Sequence, residues 1–191
     1  MEKTHITHVN DGFVFLGHRI IRKRGGRGQM RPVSTIPWKK YRGFAEKLTR
    51  QLSGDYSGNR MDVLEHINRQ LAGWANFYQY TDFTATVFRK IDRIVFWKLG
   101  HWIARKYRKG FRLLMRHYVR SPEAGHAKTW VLRGRNSKGM YVEIALRRLV
   151  TSRKGRFRYR TPDGNPYLMQ DENRTTIESR YGDLAFALSS T

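Results

Sequence analysis

The chain has 191 residues, no cysteine and a formal net charge of +23. No stretch approaches 18 uninterrupted apolar residues, which argues against a transmembrane helix, and the lack of cysteine excludes disulfides and cysteine-ligated zinc. A cation excess spread along the chain rather than gathered in one tail implies a polyanionic partner, most simply nucleic acid.

The start, Met1-Glu2-Lys3-Thr4-His5, has no apolar core and is not a secretory signal. Asp11-Gly12 is a tight-turn dipeptide, so Thr4 to Val9 and Phe13 to Leu16 are predicted to form a β-hairpin around it. An isolated two-stranded hairpin is marginal in water and needs something to lean on. The stretch RKRGGRGQMR, residues 22–31, carries no periodicity and is predicted to be a basic loop. Its Arg22, Lys23, Arg24 and Arg27 are candidate phosphate contacts.

Three helices are predicted next. The first spans 34–52, with Ser34 or Thr35 as cap, Pro37 in the first turn, and Lys39 and Lys40 as further candidate contacts. The second is capped by Asn59, and its Leu64, Ile67, Leu71, Trp74 and Tyr78 recur at alternating steps of three and four. The third runs from Phe83 to Lys109 and is stopped by Gly110. At about 100° per residue, Phe88, Ile91, Val95, Leu99 and Trp102 form its core stripe. Arg89, Lys90, Arg93 and Trp97 fall on roughly the opposite face, with Arg108 following. A tryptophan among arginines suits base stacking, or else packing on a later segment of the chain.

Beyond residue 110 the pattern loosens. Phe111 to Tyr118 suits another helix, and KTWVLRG, MYVEIALRRLV and RFRYR suit short strands between the turns RNSKG, RKG and PDGNP. The chain therefore divides into a hairpin and basic loop (1–31), a helical domain (32–120) and a small mixed segment (121–191). The fold class expected is mainly α: an N-terminal β-hairpin, a three-helix bundle and a mixed α+β C-terminal segment. None of the seven histidines has metal-ligand spacing, and there is no phosphate loop or nucleophile elbow. The residues alone describe a basic, mostly helical, non-catalytic nucleic-acid binder without metal or cofactor.

Three stretches together carry a family resemblance: EKTHITHVNDGFVFLGHRI, LEHINRQLAGWANFYQY and FRKIDRIVFWKLGHWIARKYRKG. They resemble group II intron reverse transcriptase/maturases over residues 2–110, and more faintly beyond. The first is similar to the last block of the family's palm, a hairpin ending in Phe-Leu-Gly near the primer terminus. The resemblance implies a primer-grip-like role for Phe15, Leu16, Gly17 and His18. The other two resemble the thumb, or maturase X region, with its Gly-Trp-x-x-Phe/Tyr-Tyr pattern at Gly73, Trp74, Phe77 and Tyr78. The family's Ala-Asp-Asp motif and its HNH endonuclease have no counterpart in this sequence. The resemblance implies a non-polymerising maturase-type piece that binds structured group II intron RNA, and the lack of cysteine is compatible with a cytoplasmic protein. The alternatives are one subunit of a split reverse transcriptase, completed by a finger–palm chain, and a truncated remnant.

Overall fold

The computed structural model describes residues 7–24 and 28–152. Thr4, Arg27, and the RFRYR and PDGNP segments lie outside the described residues.

Strands β1 (Phe13–Phe15) and β2 (His18–Arg24) are joined by two residues only, because Phe15 pairs with His18. The turn is Leu16-Gly17, with φ of +46° and +82°. Two successive positive φ values match the right-handed twist of the flanking strands, and Gly17 supplies one of them without strain. The predicted turn at Asp11-Gly12 is therefore displaced. Those residues form a separate turn ahead of β1, closed by the Asp11 amide donating to the His8 carbonyl at 3.0 Å. The local dipeptide signal is overridden by β2, which is paired on both sides.

Its second partner is β3 (Met30–Thr35), in register from Arg19–Thr35 to Arg24–Met30. The basic stretch read as a loop is thus strand at both ends. Ser34 and Thr35 belong to that strand, and the first helix, α1 (Trp38–Gln51), follows Pro37, whose missing amide hydrogen costs nothing there. Helix α2 (Arg60–Phe77) is capped as expected, with the Asn59 side-chain oxygen accepting from the Met61 amide at 2.8 Å. Helix α3 (Thr84–Tyr107) ends at Arg108, which adopts a left-handed conformation. Its predicted stripe, Phe88, Ile91, Val95, Leu99 and Trp102, is buried throughout. With Leu48 of α1 and Leu64, Ile67 and Leu71 of α2 it forms the core.

Helix α4 (Phe111–Tyr118) leads into a second antiparallel sheet, β4 (Val119–Arg120), β5 (Thr129–Arg135) and β6 (Tyr141–Ala145), followed by a single 3₁₀ turn (Leu149–Thr151). Strand β5 begins with four consecutive buried residues, Thr129 to Leu132, and packs on α2, α3 and α4. The described residues are 47% helical and 21% strand in two antiparallel sheets, which makes the fold a mixed α+β one and corrects the expectation of a mainly α protein. The physical reason lies in β5. A buried run of this kind must pair its backbone amides and carbonyls, and β4 and β6 supply those partners. In the first sheet β1 matches an expected strand, whereas β2 and β3 gave no signal, being largely exposed and without alternation.

Candidate nucleic-acid interface

The outer face of α3 organises the cationic surface. Arg89, Lys90, Arg93 and Trp97 are all exposed on it. The Lys90 ammonium lies 5.1 Å from the centre of the Trp38 ring, and the Arg42 guanidinium 5.4 Å from the same ring. That contact joins α3 to the first turn of α1, where Lys39 and Lys40 are exposed beside Trp38. Five of the expected residues, Lys39, Lys40, Arg89, Lys90 and Arg93, thus belong to one neighbourhood with Trp97. Arg108 does not: it follows Arg93 by four turns of helix, roughly 22 Å along the axis. Arg22, Lys23 and Arg24 are exposed on β2, where alternation sends Lys23 to the face opposite its neighbours. The Lys23 ammonium sits 5.5 Å from the Phe83 ring, next to the start of α3.

Arg93 and Trp97 border two clefts. One, of about 560 Å³, is also lined by Tyr56, Lys98, His101 and Arg105. The other, of about 320 Å³, lies between α3 and the strand-built part, and is also lined by Arg89, Lys128, Arg147 and Arg148. Trp97 is 45% exposed and stacks on Phe111 of α4, with centroids 5.4 Å apart and planes 17° apart. It therefore packs on a later segment and still presents ring to solvent.

The hairpin tip leans on the C-terminal end of α2. The Tyr78 hydroxyl donates to the Gly17 carbonyl at 3.2 Å, and the His18 ring stacks on Phe77 with centroids 5.1 Å apart. His18 Nδ1 also lies 3.1 Å from the Thr81 hydroxyl. Burial pushes the Tyr78 hydroxyl's pKa up, so it stays a donor. A side chain at residue 17 would need a left-handed backbone and would stand 3.2 Å from Phe77. Phe15 and Leu16 point away into solvent. Trp74 lies between the layers, half-buried and stacked flat on Phe44 at 4.8 Å.

Sequence reasoning missed Asp92, Lys128, Arg147, Arg148 and Phe111. Asp92 carried a signal: it is an acid beside the core stripe of α3, where an unpartnered carboxylate would be costly. Its two oxygens accept the amides of Leu149 at 2.7 Å and Val150 at 3.1 Å, fixing the 3₁₀ turn to the helix. Burial raises its pKa, while those two amides and the nearby Arg148 pull the other way. Asp92→Ala would orphan two amides, each costing about 1–3 kcal/mol if it stays buried. The expected outcome is a lower melting temperature and faster hydrogen exchange at Leu149 and Val150. Exchange unchanged at those two amides would show that the carboxylate does not hold the turn.

A basic helical face, an aromatic corner formed by Trp74, Phe77 and Tyr78, and a hairpin docked on that corner make up the site. Residues 41–119 match the family described as group II intron, maturase-specific domain, so the resemblance seen in the sequence is borne out from Tyr41 in α1 through α2, α3 and α4 to Val119. Protein YkfC of Escherichia coli strain K12 is 67% identical over 49 residues, a stretch covering 26% of this chain and 13% of that protein. No helix of the described residues is long and apolar enough to cross a membrane.

Proposed function

We propose that this chain is an RNA-binding, maturase-type protein that helps a structured group II intron RNA to fold or splice in the cytoplasm, with no polymerase site of its own. The observation that carries this reading is the α3 face, where Arg89, Lys90 and Arg93 stand exposed beside Trp97 inside the maturase-specific region. Cations on a rigid helix position a phosphate backbone, and an exposed ring offers a base a stacking partner.

The test is binding to group II intron RNA and to an unrelated RNA of equal length across a salt series. Wild-type protein should favour the intron RNA. Arg89→Ala with Arg93→Ala should weaken binding and flatten the dependence of log K on log salt by roughly 0.7–0.9 units per lost phosphate contact. The fold should survive, because both side chains lie off the buried stripe. Equal affinity for both RNAs would remove the intron-specific reading. A salt slope unchanged in the double variant would remove α3 from the interface.

A second reading, a subunit completed by a finger–palm chain, is favoured by the hairpin. Val14, Phe15 and Leu16 are 60%, 58% and 76% exposed, and among the described residues β1 pairs on one edge only. An exposed apolar edge strand is a ready template for another chain. Co-purification with a finger–palm chain, lost on Phe15→Asp, would support it.

A further inference from the structure

Five cations from three separate parts of the chain meet around the smaller cleft. Arg89 and Arg93 come from α3, Lys128 from just before β5, and Arg147 and Arg148 from between β6 and the 3₁₀ turn. Among the described residues none of the five side chains makes an ion pair or a hydrogen bond. The one carboxylate there, Asp92, has both oxygens committed to backbone amides. Like charges gathered in a concave, low-dielectric wall repel one another and focus a strong field on whatever anion enters. At about 320 Å³ the cleft is at the small end of ligand-site volumes.

Trp97 stands on its rim. Phe111 backs one face of its ring, and Phe96 meets it edge-on at 84° with centroids 5.8 Å apart. A ring held on two sides cannot swing away, so it offers a base a preorganised surface.

We propose that this cleft holds one unpaired nucleotide of the RNA, its phosphate among Arg93, Lys128 and Arg147 and its base against Trp97. The proposal rests on the RNA-binding reading above and narrows it to a single-stranded loop or bulge. Bases of a duplex are stacked inside the helix and do not reach a side chain on the rim.

The experiment uses the full chain and a fluorescein-labelled 12-nucleotide oligouridylate, with a 12-base-pair RNA duplex as comparison, read by anisotropy across salt. Lys128→Gln with Arg147→Gln should flatten the salt slope for oligouridylate by about 1.4 units, about 0.7 for each contact on a single strand. Each single substitution should give half of that, which keeps the test decidable should the pair unfold. Arg112→Gln with Arg116→Gln, on exposed positions of α4, removes equal charge and should change the slope far less. Trp97→Leu keeps an apolar contact for Phe111 but no ring. It should weaken oligouridylate binding roughly tenfold or more at unchanged salt slope, and leave duplex binding as in wild type. An unchanged slope in the Lys128/Arg147 variants, an equal loss in the α4 pair, or equal effects of Trp97→Leu on both RNAs overturns the cleft while the RNA-binding reading stands. Wild-type protein that binds neither probe nor intron RNA overturns both.

Discussion

Trp130→Ala should destabilise the folded unit by about 3–5 kcal/mol, the usual cost of emptying a large aromatic site in a core. Trp130 is fully buried where β5 meets α3. Its ring lies 5.5 Å from Phe96 and 6.0 Å from Phe111, and its indole nitrogen donates to the Phe96 carbonyl at 2.9 Å. Its own carbonyl accepts the Leu146 amide at 2.7 Å, so the residue also holds the strand ladder together. Domains of this kind have about 5–15 kcal/mol in all, so the loss removes a large fraction of the total. Urea denaturation followed by circular dichroism should show a clearly lower midpoint. Trp130→Phe, which keeps most of the volume but not the donor, should fall between. A wild-type midpoint for the alanine variant would mean that β5 is not docked on α3.

The second large effect is expected at Gly100, on the face of α3 beneath that ring. A Cβ at this position would collide with the Trp130 ring and stand 2.6 Å from Phe111 Cε2. Helix propensity alone says the reverse: alanine should improve an exposed helical glycine by about 1 kcal/mol. Overpacking costs about 1–3 kcal/mol and more when neighbours cannot yield, and here both neighbours are rings held by the core. Gly100→Ala is therefore expected to destabilise, and Gly100→Leu to displace the second sheet from the helix altogether. The cause can be isolated. In a Trp130→Ala background, Gly100→Ala should cost clearly less, the Phe111 contact remaining, a coupling that contacting residues show. Additive effects in that cycle would refute the close approach.

These two residues also show what a sequence does and does not disclose. The stripe from Phe88 to Trp102 was legible because helical periodicity is local and repeats over about four turns. Asn59 as cap was legible because its chemistry acts two residues away. Trp130 read only as part of a short strand, and Gly100 as an unremarked residue inside a helix; their meaning arises from a meeting of segments 30 residues apart. The same holds for the cationic surface. Arg89, Lys90 and Arg93 were visible as one helix face, whereas Lys128, Arg147 and Arg148 join them only through the docking of the strands. Leu16-Gly17 was missed as a turn because Leu is a rare occupant of positive φ, and only the register with β2 demands it there.

The stitching between the helices and the last strands spans long distances in the chain. Asn68 receives the Arg147 amide 79 residues later and donates to the Ala145 carbonyl 77 residues later, and Asp92 receives Leu149 after 57. Contacts of such separation form slowly, because a long loop must close before they contribute. A chain leaving the ribosome at about 5–20 residues per second has α1, α2 and α3 available well before residue 149 emerges. During that interval Gly100 lies open in a bare groove and the cationic cleft has only one wall. Closure of the groove by Trp130 and completion of the cleft are then one event in time. The α3 face is complete first, and gains its second wall only when synthesis has passed the 3₁₀ turn.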